Sequence, residues 1–337
     1  MSHNKRLKEL RLRHRLSQKE LATRLGVAQS LISQVEREER ALSANLIMKA
    51  VSAFDLDADF FERPPSPYNR LSLNFRTKVL SAGAKDSIIL EFSELERETR
   101  KLLANIPVTE LPVCEEKRSA MMPAEEIEKF AQATRDTLQL GRDTPVPNVV
   151  RAIERAGVGV VEFPTDLDLE GKVDGVSTPS INPPYVIVIT PEGPGERQRF
   201  TTAHELGHLV LHRAQRPESE SVRESEAHAF AGAFLLPETA IRPHLSPTLT
   251  LFGYAALKNT WGVSIQAIIR RAVTLGVISQ ERYKSLMIQL SSRGWRVDEP
   301  YPIEREKPVL VPKLRDAQLN NVVSLFNHRR DTPAGKR

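Results

Sequence analysis

One stretch of the chain, RFTTAHELGHLVLH over Arg199–His212, sets His204 and His208 four residues apart with Glu205 directly after the first. On a helix, residues four apart stand one turn above each other, so both imidazoles project from one face and can reach a single ion at about 2.0–2.1 Å. Glu205 then lies about 100° round the helix, close enough to touch a water on that ion. Leu206, Leu209 and Val210 make the other face apolar, and Phe200 and Leu211 flank the histidines. Two unpaired imidazoles and a carboxylate in such surroundings cost several kcal/mol unless a divalent cation satisfies them. The chain has 8 histidines, and His-Glu-x-x-His arises by chance about once or twice per hundred such sequences. A third ligand from a second helix is therefore required.

RESEAHAFAGAFLLP, over Arg223–Pro237, can supply it. Ala227, Phe230, Ala231 and Phe234 form an apolar stripe suited to packing on the histidine helix, and the small alanines permit close approach. Glu224 precedes Ala227 by one turn and can point at the ion. Glu226, about 200° away, is the alternative, better placed to support the site or face water. Two histidines and one glutamate with a fourth position open is the pattern of a catalytic rather than a closed structural site. Zn2+ is the default ion, and Mn2+ or Fe2+ accept the same donors. His212 reads as a supporting or surface residue, His228 as a hydrogen-bonded group at the rim, and His244 as a loop residue on which nothing makes a demand.

These motifs need a scaffold, and the flanking sequence describes one. NVVRAIERAG reads as a helix leading into VGVVEF, KVDGVSTPS and YVIVIT, three short Val/Ile-rich strands bounded by Gly and Pro. The histidine and glutamate helices follow, and further helices from about Leu249 to Leu290 complete a small α+β domain. Upstream, KDSIILEFSELERETRKLLANI and PAEEIEKFAQATRDTLQL have helical periodicity. The first is expected to form the outer wall of the second domain, with a dimer contact as the alternative. The expected organisation is 1–63 as an all-α domain, 64–145 as a helical extension, 146–298 as the metal-bearing domain, and 299–337 as a basic, Pro-rich, partly disordered tail. The fold class expected is mainly α with an α+β part built on a three-stranded sheet.

The N-terminal 63 residues read as short, closely spaced helices. Ser17 and Glu20 in SQKELATRLG make a capping box, Leu21 and Leu25 a buried stripe, and Gly26 a stop. VAQSLISQVEREER puts Leu31, Ile32 and Val35 on one side, opposite Gln29, Ser30, Ser33, Gln34 and Arg37. LSANLIMKAVSAFDLD points Ile47, Val51 and Phe54 inward, and the three prolines of RPPSPYN end the pattern. The first 40 residues hold 10 Lys/Arg against 5 Asp/Glu, a local excess as large as the net +5 of the whole chain. That bias suits a DNA-contacting face, although charge alone reads first as a solvated helical face.

Composition excludes several classes. With 337 residues, 40% hydrophobic and 27% charged, the chain has the make-up of a globular protein long enough for two cores. It has no run of eighteen apolar residues, so no membrane partner is expected. The charged N-terminus lacks the apolar core of a secretion signal. Cys114 stands alone, which rules out a disulfide framework and a cysteine zinc cluster and points to a reducing cytoplasm.

The coupled motifs RFTTAHELGHLVLH, ESEAHAFAGAFLLP and WGVSIQAIIRRAVTLGVIS resemble the ImmA/IrrE family of metallo-endopeptidases over about residues 70–290. LKELRLRHRLSQKELATRLGVAQSLISQVEREER resembles the XRE-type helix-turn-helix of phage repressors over residues 5–60. The first resemblance implies that His204, His208 and Glu224 bind zinc or a similar ion and that Glu205 is the general base. It also assigns WGVSIQAIIRRAVTLG to the peptidase domain rather than to a second DNA reader. His228 departs from the asparagine or aspartate more usual there. The second resemblance implies that Gln18 contacts phosphate and that Gln29, Ser30 and Gln34 face base edges, with Arg37 on the backbone. It implies a homodimer on a double-stranded DNA operator. Together they imply a transcriptional regulator whose peptidase domain cleaves an XRE-type repressor, or itself, in a stress or induction response. The rival expectation is a repressor or antitoxin-like regulator whose zincin-like domain senses a ligand or metal and cuts nothing.

Overall fold

The capping sequence at the front of the chain sets the first local structure. In the computed structural model Ser17 Oγ accepts from the Glu20 N–H at 3.2 Å, and Glu20 accepts from the Ser17 N–H at 2.7 Å. This reciprocal cap starts α2 (Gln18–Leu25), and Gly26 closes it in the left-handed region. Around it lie α1 (Ser2–Arg13), α3 (Gln29–Glu36) and α4 (Ala44–Phe54). The structure describes residues 2–70, 72–73, 80–118, 120–169, 171 and 173–330, with side chains described from 3 to 320.

The chain divides into two compact units, one of residues up to 97 together with 163–173, the other of 98–162 and 174 onward. The first has a core of Leu7, Leu10, Leu21, Leu25, Ile32, Val35, Leu46, Ala50, Phe60 and Phe61. Ile47, Val51 and Phe54 pack at its margin, half-buried, while Leu46 and Ala50 on the same helix go deepest. The unit runs past the prolines at 64–67, because Glu9 accepts from the Ser66 N–H at 2.8 Å and draws the chain back. It then takes in the first part of α5 (Ala82–Leu103). The expectation that this helix walls the second domain is therefore corrected for its residues through Arg97. The reason lies in side chains that periodicity does not rank: Ser87 Oγ donates to the Arg13 carbonyl at 2.6 Å, and Glu91 takes Arg13 at 2.9 Å.

The second unit begins with the end of α5, continues through α6 (Ala124–Thr137) and α7 (Val149–Arg155), and then forms β1 (Gly159–Glu162), β2 (Gly175–Ser177) and β3 (Val186–Ile189). The sheet order is β1-β3-β2, with β1 parallel and β2 antiparallel to β3. The four residues of β3 are all buried, as a central strand of continuous Val and Ile requires. α8 (Gly195–Leu211) crosses behind the sheet against β2 and β3 and lies along α9 (Glu220–Leu235), which α6 also covers. The short α10 (Glu238–Ile241), α11 (Leu251–Trp261), α12 (Ile265–Thr274) and α13 (Gln280–Ser292) complete the core. Arg271 is buried and donates to the Leu236 carbonyl at 3.0 Å, so the WGVSIQ segment is part of this core.

The first part of the stretch from 299 packs into the second unit, on partners that its composition does not reveal. Glu306 is buried, accepts from the Val150 N–H at 2.8 Å and pairs with Arg199 of α8. Gln198 brackets it through both backbone groups at 2.7 and 2.8 Å. Glu154 then accepts from the Val309 and Leu310 N–H groups at 2.7 and 2.8 Å, capping α14 (Leu310–Arg330). Tertiary partners, not local propensity, order this stretch. Residues 331–337 lie outside the described residues. Among the described residues no helix is long and apolar enough to cross a membrane.

Candidate metal centre

α8 is an unusual helix because its polar residues are as buried as its apolar ones. Leu206, Leu209 and Val210 are fully buried, and so, nearly, are His204, Glu205 and His208. The sheet and α9 enclose it from two sides. Gly207 sits where α9 comes closest: a Cβ there would stand 3.2 Å from both the Cα and the carbonyl oxygen of Ala227. This close approach is what lets a residue on α9 reach the α8 histidines.

That residue is Glu224. Its Oε2 lies 3.3 Å from His204 Nε2 and its Oε1 lies 3.3 Å from His208 Nε2, while the two Nε2 atoms are 3.2 Å apart. Ligands held at about 2.0–2.1 Å around a tetrahedral ion stand about 3.3–3.4 Å from one another. The two imidazole nitrogens stand at about that spacing, and each is met at the same distance by a different oxygen of the one carboxylate. These three residues are the one His/Cys/Asp/Glu group among the described residues with donors close enough to share an ion. Two facing imidazole nitrogens and a carboxylate have more lone pairs than protons, and a divalent cation resolves the excess. The residues fit a metal.

Electrostatics put the donors in ligand form. Burial, with the neighbouring histidines, pushes His208 down to about 3 and keeps its imidazole neutral. Burial alone would raise Glu224, but its contacts with His204 and His208 outweigh it and hold the carboxyl well below the usual range. Glu205 goes the other way: burial pushes it up to about 7, against His204 and a hydrogen bond from Ser177 that lower it. A carboxyl near neutrality can both take and return a proton. Ser177 Oγ donates to Glu205 Oε2 at 2.7 Å. β2 can lie this near because Gly175 has no side chain; a Cβ there would meet Thr201 Cγ2 at 2.8 Å and Glu205 Cγ at 3.0 Å.

The structure separates the two α9 glutamates as the helix phase suggests. Glu226 is fully buried, turned to His212 at 2.9 Å and to Arg118 at 2.8 Å. Burial would raise its carboxyl, yet His212, the Met122 N–H and Arg118 lower it. His212 lies behind His208 rather than among the three donors, and burial lowers its basicity. His228 is half-buried with its ring 4.8 Å from that of Phe200, and His244 is exposed.

In the first unit Gln29, Ser30, Gln34 and Arg37 are exposed on α3 and its C-terminal end. Gln18 is half-buried and engaged at both ends of its amide, donating to Glu36 and accepting from Gln29, each at 2.9 Å. Glu36 is in turn held by Arg11 at 2.6 Å. The two glutamines at the starts of α2 and α3 are therefore fixed relative to one another.

Residues 153–273 match the family model of the IrrE N-terminal-like domain, Peptidase_M78. Residues 7–61 match the helix-turn-helix model. The chain joins a helix-turn-helix domain to an IrrE N-terminal-like domain. The comparison with curated proteins finds no match. The IrrE-like match takes in β1–β3, α8 and α9, and so contains all three donors and Glu205. Arg118 and Met122, which hold Glu226, precede it. Sequence reasoning missed Arg118 and Ser177; neither stands in a motif or at a periodic spacing that marks it.

Proposed function

We propose that this chain is a DNA-binding regulator whose IrrE-like domain hydrolyses a peptide bond in an XRE-type repressor, or in itself, using zinc held by His204, His208 and Glu224. The convergence of three donors from two helices at 3.2–3.3 Å carries this reading. A cation bound there supplies Lewis acidity toward a carbonyl and acidifies water, at an effective pKa of about 7 for zinc. Glu205 takes the proton of the attacking water and returns it to the leaving amine. Ser177 holds the Glu205 carboxylate in place for both transfers. Burial of α8 excludes bulk water from these groups and strengthens their mutual fields.

On the DNA side, Gln29, Ser30 and Gln34 present hydrogen-bonding groups from α3 to base edges in the major groove, glutamine being suited to adenine. Gln18 and Arg37 hold the phosphate backbone, and two copies bind one operator in the cytoplasm.

The test is Glu205→Gln, which leaves the three donors intact. We expect the variant to keep zinc and fold while losing cleavage of co-purified or neighbouring XRE-type proteins. Equal cleavage by the variant would remove Glu205 from the reaction. A wild-type protein that binds zinc yet cuts neither these proteins nor itself would favour the sensor reading instead.

A further inference from the structure

Behind His208 a hydrogen-bonded chain leads away from the metal centre and ends in buried charge. His208 Nδ1 lies 2.9 Å from His212 Nδ1, and His212 Nε2 lies 2.9 Å from Glu226 Oε2. Glu226 Oε1 accepts from Arg118 Nη1 at 2.8 Å and from the Met122 N–H at 2.6 Å. Arg118 Nη2 approaches Oε2 at 3.4 Å. Glu226 has no solvent contact, and His208 and His212 have almost none. A buried carboxylate on which this many donors converge is stable only when ionised.

The proton positions follow from valence. A carboxylate only accepts, so His212 carries its proton on Nε2. Its Nδ1 is then a lone pair, which can be satisfied only if His208 carries its proton on Nδ1. His208 Nε2 then turns a lone pair toward His204 Nε2 at 3.2 Å and toward the Glu224 carboxylate at 3.3 Å, where a cation satisfies all three. Glu224 is the competing acceptor that would draw a proton to this atom, and the Glu226–His212 chain opposes it from the far side of the ring. His204 has no such device: its Nδ1 is buried without a hydrogen-bond partner.

Building on the metal-site reading, we propose that Glu226 and His212 are positioning residues that select the metal-binding tautomer of His208, with Arg118 and the Met122 N–H holding Glu226 in place. Orienting groups of this kind are commonly worth about 10–100-fold in metal affinity.

Glu226→Gln tests the mechanism at constant shape. Its amide oxygen is drawn to the two donors at Arg118 and Met122, which turns the NH2 toward His212. That NH2 donates to His212 Nε2, moves the His212 proton to Nδ1 and drives the His208 proton onto Nε2. Long-range 1H–15N spectra of the metal-free protein, labelled at histidine, read the tautomers directly. We expect Nδ1-protonated His208 in the wild type and the Nε2-protonated form in Glu226→Gln. Zinc affinity, measured by chelator competition, is expected to fall about 10–100-fold. His212→Phe keeps the ring but removes both nitrogens, and is expected to weaken zinc in the same direction; it serves if Glu226→Gln fails to fold. A wild-type His208 protonated on Nε2 overturns the proposal. So does a folded Glu226→Gln protein that loses stability but keeps both the His208 tautomer and its zinc affinity. Failure of the metal-site reading looks different: wild type would bind zinc no better than His204→Ala, whatever the tautomer.

Discussion

Replacing Gly207 with alanine probes the contact on which the donor set depends. An added Cβ would stand 3.0 Å from Phe230 Cδ1 and 3.2 Å from the Cα and carbonyl oxygen of Ala227. Non-bonded carbons prefer about 3.5–4.0 Å, so α9 must retreat by a few tenths of an ångström. Two of the three atoms are α9 backbone and cannot rotate aside. Overpacking of this kind costs about 1–3 kcal/mol, while replacing a helical glycine by alanine returns about 1 kcal/mol. The expected net is a loss of up to about 2 kcal/mol. Glu224 rides on α9 one turn before Ala227, so the same retreat lengthens its approach to His204 and His208. A displacement of a few tenths of an ångström approaches the tolerance of about 0.5 Å for a preorganised site, and zinc affinity should fall by up to about tenfold. Urea unfolding of the metal-free protein and chelator competition for zinc measure the two effects. The reasoning fails if Gly207→Ala becomes more stable, as an unhindered helix would, and binds zinc as the wild type does.

Two further outcomes follow from the structure. Glu306→Ala leaves Arg199 and the Val150 N–H buried without their carboxylate; urea denaturation should show a loss of about 3–5 kcal/mol. A change well under about 1 kcal/mol would mean that the segment is not packed as described. Ser177→Ala removes a hydrogen bond that lowers the Glu205 carboxyl, so that carboxyl rises further. The acid limb of the cleavage profile should move to higher pH with its alkaline limb unmoved; an unshifted acid limb would separate Ser177 from the base.

Much of the site could be read from the chain because helical periodicity carries it. His204 and His208 are one turn apart in a helix that is apolar on its other faces, and the Ala227–Ala231 stripe fixes the phase that brings Glu224 inward and turns Glu226 away. The Ser17 and Glu20 cap was equally legible, since both partners are local. What was not legible depends on distant partners. Ser177 precedes Glu205 by 28 residues and Arg118 precedes Glu226 by 108, on segments without periodicity. The C-terminal stretch looks solvent-loving from its prolines and charges, yet Glu306 is drawn inside by Arg199 and the Val150 N–H, with Gln198 bracketing its backbone. The first part of α5 carries buried glutamates at 91, 94 and 96, whose partners Arg13, Arg6 and Tyr68 all lie in the first unit. An apolar stripe alone could not assign that helix to a domain.

The central claim is that α8 and α9 together hold one cation. Anomalous diffraction at the zinc edge, on crystals of zinc-loaded protein, tests it most directly. One ion per chain is expected in this domain, about 2.0–2.2 Å from His204 Nε2, His208 Nε2 and a Glu224 oxygen. An ion bound through Glu226 instead, or no anomalous peak between the two helices, would contradict it.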